Sequence, residues 1–171
     1  MDLKLNGKNA LVCGSSRGIG KACAEELALL GANVTLVARS ADILAGLVEK
    51  LDHSQKQKHD FLAADFSNPI DLKKKVRGLV SAKTIHILIN NTGGPPPGPL
   101  LEAEAGDFLK AYEKHLVCNQ LLTQLVVPGM KKADYGRIIN IISTSVRAPI
   151  ENLGVSNTTR GAVANWAKTL A

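Results

Sequence analysis

The sequence predicts an α/β fold in which a doubly wound parallel sheet has the strand order 3-2-1-4-5. Short apolar runs alternate with segments of helical spacing along the whole chain. The runs are apolar almost throughout, which is typical of strands covered by helices on both faces. Right-handed crossovers between such strands favour this order. The 171 residues suit one domain, which we expect to span 1–171.

The first half of the chain supplies three strands and two helices. The first helix is indicated by Ala22, Leu27 and Leu30, which lie on compatible faces at helical spacing. Gly31 then ends that helix. In order, the predicted elements are a strand over 9–13, a helix over 22–30, a strand over 34–37, a helix over 41–51 and a strand over 61–64.

The second half continues the alternation. Pro69 begins the third helix, because the N–H that proline lacks would be unpaired at a first helical position anyway. A loop over 93–99, rich in proline and glycine, is expected to be stiff. The other predicted elements are a strand over 85–89, a long helical region over 105–130, a strand over 138–142 and a last helix from about 152 to the end.

Composition argues against several classes of function. No apolar run reaches the roughly 20 residues of a membrane helix, and no signal peptide is recognisable, so we expect a cytoplasmic protein that does not enter a membrane. Aromatic residues make up 4% of the chain and do not interleave with basic ones, which argues against nucleic acid as a partner. The net charge of +6 instead indicates attraction to an anionic ligand, such as a phosphorylated cofactor or a carrier-linked acid.

Two groups of residues have simple structural interpretations. The basic run of residues 73–75 with Arg77 is typical of a solvated helix face. Cys13, Cys23 and Cys118 are isolated in the sequence, so neither a disulfide nor a metal site is expected. All three cysteines are predicted to be small buried residues.

The strongest motif lies between the first strand and the first helix and has the spacing G-x-x-x-G-x-G. Gly14 can take a tight turn, Gly18 lets the backbone approach a diphosphate, and Gly20 permits close packing of helix on strand. The helix N-terminus then directs free N–H groups at the phosphates. The alternative is a tight turn without a ligand. The cofactor-binding residues predicted here are Gly14, Ser15, Ser16, Arg17, Gly18, Ile19 and Gly20.

Three further segments accompany this spacing. Residues 90–93 read Asn-Asn-Thr-Gly after the fourth strand, Asp65 follows the third strand, and residues 136–143 end the fifth strand in a serine. Together with the glycine turn, these segments resemble the short-chain dehydrogenase/reductase family over essentially the whole chain, with the 3-oxoacyl-(acyl-carrier-protein) reductases nearest. The resemblance implies a Rossmann-type domain with an aspartate near the adenine. The residues it assigns to the cofactor are Asp65, Asn91, Thr92 and Gly93.

The end of the second strand indicates which nicotinamide cofactor is bound. NAD-specific domains carry an acidic residue there, whereas this strand is followed by Arg39 and Ser40. Arg39 offers a planar fork for a 2′-phosphate, and Arg17 could close on the same phosphate from the other side. We therefore predict NADP(H), with NAD less favoured. The alternative is that both arginines are merely surface residues.

The family's catalytic residues are only partly present. The resemblance implies a tyrosine and a lysine at i, i+4, where the lysine lowers the pKa of the tyrosine so that it can donate a proton. Ser156 and Arg160 stand at these two positions, and neither of the two tyrosines in the chain is followed by lysine at this spacing. His115 falls at or near the family's supporting asparagine, while Ser143 matches the serine that bonds to the substrate carbonyl.

This altered set leaves the chemistry open. Arg160 can bind ribose hydroxyls and stabilise developing negative charge. Ser156 is a poor acid that could still donate a hydrogen bond or pass on a proton from water. His115 could replace the missing acid, or it could be a helix residue that faces solvent or fills a packing gap.

Two functions therefore compete. One is an NADPH-dependent oxidoreductase acting on a small-molecule or acyl-carrier-linked carbonyl, such as a 3-oxoacyl thioester. The other is an NADP-binding or regulatory protein without turnover. A nucleotide-sugar epimerase of the extended branch is disfavoured, because the chain is too short for its second domain. The resemblance also implies a homo-oligomer formed through the helical region 105–130 and the last helix. It further implies additional C-terminal strands, so we expect the chain to be either a fragment or a naturally shortened form.

Overall fold

The computed structural model describes residues 3–171 and contains one sheet of five parallel strands. They are β1 Asn9–Cys13, β2 Asn33–Ala38, β3 Asp60–Ala63, β4 Ile87–Asn90 and β5 Arg137–Asn140. Their order across the sheet is β3-β2-β1-β4-β5, which confirms the prediction. β1 is central, with Ala10 opposite Val34 on one side and opposite Ile87 on the other.

Helices cover both faces of the sheet. They are α1 Gly18–Leu29, α2 Ala41–Val48, α3 Pro69–Ala82, α4 Ala105–Tyr112, α5 Cys118–Lys132 and α6 Gly154–Leu170. A π-helical turn, Glu113–Val117, joins α4 to α5 without a break. None of the helices described between residues 3 and 171 combines the length and the apolar character that a membrane crossing requires.

The strand β1 divides the interior into two apolar cores. Leu11 and Cys13 point into the core that includes residues of α3 and α5, whereas Ala10 and Val12 point into the core that includes residues of α1 and α2. This alternation follows from the two-residue period of a strand. All four side chains are fully buried. The uninterrupted apolar sequence of the run therefore reflects burial on both faces.

The helix α1 differs most from its prediction. It begins at Gly18, four residues before the predicted start, because the last part of the glycine motif already belongs to the helix. Its buried residues are Gly20, Ala24 and Ala28, whereas Ala22 is exposed. Small residues on the inner face let the helix lie close to the sheet.

Other boundaries shift by smaller amounts. α2 ends at Val48 rather than at residue 51, although Leu51 remains buried beyond the helix. Pro69 begins α3 as predicted, and the Oδ1 atom of Asn68 caps this helix by accepting the backbone N–H of Asp71 at 3.1 Å. The long helical region extends to Lys132 and contains the π-helical turn that its sequence pattern did not predict.

Two of the three cysteines are buried as predicted. Cys13 and Cys118 are inaccessible, whereas Cys23 on α1 is only half-buried, so the prediction was wrong for that residue. Burial raises the pKa of the Cys118 thiol to about 12 and holds that of Cys13 far above its usual value. On the exposed side of α3, Lys75 pairs with Asp71 at 2.7 Å, as expected of a solvated face.

Candidate functional site

A cavity of about 620 Å³ opens at the carboxyl edge of the sheet, where the segments following β1, β2, β3 and β4 meet. This is the edge at which open parallel sheets bind ligands. Three cations and one carboxylate line it, namely Arg17, Arg39, Lys114 and Asp65. The other lining residues are Gly14, Ser16, Gly18, Ile19, Ala38, Ser40, Ala64, Phe66, Ser67, Asn91, Thr92, Gly93 and Gly94.

The glycine turn (residues 14–20) has no room for side chains at two positions. A Cβ atom on Gly20 would lie 2.3 Å from the carbonyl oxygen of Gly14, and one on Gly14 would lie 2.6 Å from Nδ2 of Asn91. Gly18 is needed for a different reason. Its φ is 57°, in the left-handed region, but a Cβ there would meet nothing within 4 Å.

The turn leaves backbone donors free at the start of α1. Arg17 precedes this helix and makes no capping hydrogen bond through its side chain. The N–H groups of the first helical turn therefore lack a side-chain acceptor and are available to an anion. From the other side, Nδ2 of Asn91 donates to the carbonyl oxygens of Cys13 and Gly14, each at 3.3 Å. The amide of Asn91 thus holds the turn from the end of β4.

Two residues predicted to bind the cofactor do not line the cavity. Ser15 is fully buried, and its Oγ accepts the backbone N–H of Val37 at 2.9 Å, so this side chain ties the glycine turn to β2. Gly20 is also buried, beneath the turn. Both residues therefore shape the site from behind. All the other residues predicted for the cofactor line the cavity.

The charges around the cavity are unevenly placed. Arg17 and Arg39 are exposed, and no carboxylate stands at the end of β2. Asp65 accepts the backbone N–H of Ser67 at 2.9 Å. This hydrogen bond holds the pKa of Asp65 below its usual value, and the charges of Arg39 and Lys114 act in the same direction. Asp65 is therefore a carboxylate at neutral pH.

The residues predicted for catalysis gather near the end of β5. Ser143 is half-buried, and its Oγ accepts the backbone N–H of Ser145 at 3.1 Å. Arg160, on α6, donates from Nη1 to the carbonyl oxygen of Ile141 at 2.9 Å, which anchors its guanidinium two residues before Ser143. Ser156 lies one turn earlier on α6, half-buried, with no hydrogen bond from its hydroxyl to any residue of the described chain.

His115 lies inside the π-helical turn and is only 2% exposed, so the solvent-facing alternative for this residue was wrong. Its Nε2 atom is buried without a hydrogen-bond partner. Burial, followed by the positive charge of Arg160, lowers the pKa of His115 to about 4. The imidazole is therefore neutral at pH 7. It can still donate or accept a hydrogen bond, but it does not supply a charged acid there.

Gly93 and Gly94 connect the two groups of residues. The backbone of Gly93 raises the pKa of His115 and partly offsets the effect of burial. A Cβ atom on Gly94 would lie 3.8 Å from Nη2 of Arg160. Since both glycines line the cavity, the catalytic candidates adjoin its inner end. Lys114 was missed by the sequence analysis, because a lysine in a long helical pattern carries no sign of which way it faces.

Comparison with known proteins establishes the family. The short chain dehydrogenase family matches residues 8–171, and the chain therefore belongs to the short-chain dehydrogenase/reductase family. It is 30% identical over 173 residues to the human inactive hydroxysteroid dehydrogenase-like protein 1, covering 98% of this chain and 52% of that protein. It is 32% identical over 161 residues to the very-long-chain 3-oxoacyl-CoA reductase of Bos taurus, covering 92% and 51%. The chain thus spans about half the length of the curated relatives it matches.

Solved structures agree with this assignment. The L-sorbose reductase of Gluconobacter frateurii, solved with NADPH and L-sorbose, has a TM-score of 0.92 and 31% identity over 99% of this chain and 65% of that one. A 3-oxoacyl-(acyl-carrier-protein) reductase of Agrobacterium tumefaciens, solved with NADP, has a TM-score of 0.91 and 26% identity over 99% and 66%. Both matches extend over the sheet and all six helices.

Proposed function

We propose that this chain binds NADP(H) and forms the nucleotide-binding part of an oxidoreductase that reduces a carbonyl or oxidises an alcohol. The observation that carries the proposal is the cavity at the glycine turn, where Arg17 and Arg39 stand without a carboxylate at the end of β2. The NADPH and NADP complexes of the two similar reductases support the choice of cofactor. A 3-oxoacyl thioester, carried by CoA or by an acyl-carrier protein, is the substrate class suggested by the names of two of the relatives.

The residues present fit a dinucleotide phosphate. The bare Cα atoms of the glycine turn allow the diphosphate to approach the backbone, and the free N–H groups at the start of α1 would donate to it. Arg39 and Arg17 would hold the 2′-phosphate, because a guanidinium binds phosphate through two parallel hydrogen bonds. Asp65 would accept a hydrogen bond from the adenine, and the segment 91–93 would form the floor of the cavity.

The catalytic residues of this chain would position a carbonyl and stabilise charge. When bound, the cofactor supplies or accepts a hydride. Ser143, with its Oγ oriented by the N–H of Ser145, would donate to the carbonyl oxygen. Arg160 is anchored on Ile141 and can stabilise the oxyanion that develops there, while its remaining N–H groups can reach ribose hydroxyls. Ser156 would relay a proton from water, because its own hydroxyl is too weak an acid to be the source.

A second candidate function is NADP(H) binding without turnover. It is favoured by the state of His115, whose low pKa leaves the site without a charged acid at neutral pH, and by Ser156 in place of tyrosine. The human relative whose name calls it inactive supports the same possibility for this family branch. In that case the cavity would still bind the cofactor. The cytoplasmic location and the homo-oligomer inferred from the sequence stay predictions.

Binding is tested by titrating the protein with NADPH and NADH and following ligand fluorescence. We expect NADPH to bind more tightly than NADH. Arg39→Asp should weaken NADPH binding selectively, because the carboxylate would repel the 2′-phosphate. Arg77→Asp makes the same charge change on an exposed part of α3 outside the cavity and should leave both affinities unchanged. Equal losses for both cofactors in Arg39→Asp would remove Arg39 from the 2′-phosphate site.

Turnover is tested by a screen of carbonyl substrates that follows NADPH consumption. An oxidoreductase should consume NADPH with at least one substrate, and Arg160→Ala should lower kcat by about tenfold or more, because it removes a charge that stabilises the oxyanion. Arg77→Ala serves as the matched control. An unchanged rate in Arg160→Ala would exclude Arg160 from the mechanism. Tight NADPH binding with no turnover of any substrate would favour the second function.

A further inference from the structure

Lys114 is a cation of the cavity that neither the sequence motifs nor the proposed mechanism uses. It is half-buried in the π-helical turn, immediately before His115. Among the described residues that line the cavity, it is the one contributed by the helical region from Ala105 to Lys132. Lys114 therefore enters the cavity from the helical region, whereas the other lining residues belong to the ends of the strands and the segments that follow them.

The ammonium group of Lys114 has no carboxylate partner in the described chain. The two ion pairs within residues 3–171 join Lys21 to Glu25 and Lys75 to Asp71. The charge of Lys114 is nevertheless close enough to lower the pKa of Asp65 and that of His115. Lys114 thus stands between the segment after β3 and the segment after β4. Because Lys114 belongs to neither ion pair, its ammonium group is available to an anionic ligand in the cavity.

The three cations of the cavity come from three different segments of the chain. Arg39 follows β2, which lies on one side of β1, and Arg17 belongs to the turn itself. Lys114 comes from the helical region, and its charge acts both on Asp65, after β3, and on His115, beside the segment after β4. A dinucleotide that runs from Asp65 to the catalytic candidates would therefore bring its diphosphate past Lys114, on the helical side of the cavity.

We propose that Lys114 binds the diphosphate of the dinucleotide from the helical side of the cavity. This inference rests on the proposed function, because it requires a dinucleotide in the cavity. Lys114 then acts on the part of the ligand that NADPH and NADH share, whereas Arg39 acts on the 2′-phosphate that only NADPH carries. Lys114 supports the affinity for both cofactors, and Arg39 sets the preference between them.

The test compares three glutamine variants in titrations with NADPH, NADH and ADP. Lys114→Gln should raise the Kd of all three ligands by a similar factor of about ten, as expected for the loss of one charge-assisted hydrogen bond. Arg39→Gln should raise the Kd of NADPH alone. Lys110→Gln, an exposed position on α4 outside the cavity, should change none. Lys114→Arg keeps the charge and should retain most of the affinity for each ligand.

Each other outcome overturns the assignment. An unchanged Kd in Lys114→Gln would show that Lys114 does not contact the ligand, and a loss confined to NADPH would move it to the 2′-phosphate. If Lys114→Arg loses as much affinity as Lys114→Gln, the substitutions disturb the π-helical turn rather than a contact with the ligand. The melting temperatures of the two variants would check this. If the unaltered protein binds neither NADPH nor NADH, the proposed function itself fails. If the unaltered protein binds and Lys114→Gln binds equally well, only the role of Lys114 fails.

Discussion

Gly20 makes the closest packing contact of the glycine turn. An alanine Cβ there would lie 2.3 Å from the carbonyl oxygen and 2.7 Å from the carbonyl carbon of Gly14, so the backbone itself would have to move. We expect Gly20→Ala to lower the free energy of unfolding by about 2 kcal/mol, the usual cost of overpacking, and to weaken NADPH binding. Urea denaturation and an NADPH titration measure the two effects.

Gly46 supplies the control for this prediction. It lies in α2, where a Cβ would meet nothing within 4 Å. Gly46→Ala should therefore raise the free energy of unfolding by about 0.5 kcal/mol, because alanine loses less conformational entropy than glycine in a helix. Similar stability changes in the two variants would contradict the packing described for the turn.

The buried imidazole of His115 makes stability depend on pH. Its pKa in the folded protein, about 4, lies below the ordinary histidine value of 6.5. Unfolded chains therefore bind more protons between these two values, and folding loses stability as pH falls through that range, by about 1.4 kcal/mol per pH unit at most. Above pH 6.5 the imidazole is neutral in both the folded and the unfolded chain, so this loss is absent. Urea denaturation at a series of pH values from 7 to 4.5 measures the loss.

The variant His115→Asn separates this effect from those of other groups. Burial also lowers the pKa values of His59 and His86, so they contribute in the same direction. The variant keeps these two and removes only the titration of His115. Its stability should fall less steeply with acid than that of the unaltered protein. Parallel curves would show that His115 does not titrate with a lowered pKa.

At the scale of elements, α3 shows how one side chain fixes the start of a helix. Asn68 accepts the N–H of Asp71, and Pro69 occupies the first helical position, where its missing N–H costs nothing. Asn68→Ala should lower the free energy of unfolding by about 1 kcal/mol, the usual value of an N-cap. Asn68→Ser keeps an acceptor and should cost much less. Thermal denaturation of both variants distinguishes the cap from a general loss of packing.

The strands and their order could be predicted because their signals are local. An apolar run buried on both faces looks the same in the sequence wherever it lies, and crossover handedness then restricts the order. The start of α1 could not be read, because glycines at Gly18 and Gly20 look like a turn although they are helical. The π-helical turn was also hidden, since a single i→i+5 turn inside a long helix has no residue signature of its own.

The residues of the functional site were likewise only partly predictable from the sequence. The glycine turn and Arg39 were predictable, because each stands directly after a strand whose end is visible in the sequence. The burial of His115 and the position of Lys114 depend on how the helical region packs against segments far away in the chain, and no local pattern records that packing. The structural role of Ser15 likewise depends on Val37, a residue of another strand.

For the molecule as a whole, the outer edge of β5 is the surface with the clearest consequence. β5 is paired on one side only within the described chain, and Ile139 on it is 49% exposed. Open strand edges with apolar side chains promote association. Ile139→Lys should lower the self-association seen by light scattering at high protein concentration. Ile70→Lys, on α3 and 84% exposed, should leave it unchanged, and equal effects would argue against the edge.

Because the amide of Asn91 supports the glycine turn, the turn can become rigid only after residue 91 has been synthesised and folded. It reaches the carbonyl oxygen of Gly14 across 77 positions of the chain. During synthesis, the complete motif therefore leaves the ribosome long before the strand that braces it can dock beside β1. A nascent chain arrested before residue 91 would contain every glycine of the motif and still lack a rigid nucleotide-binding turn. The ability to bind a nucleotide therefore arises late in synthesis, once the sheet has assembled.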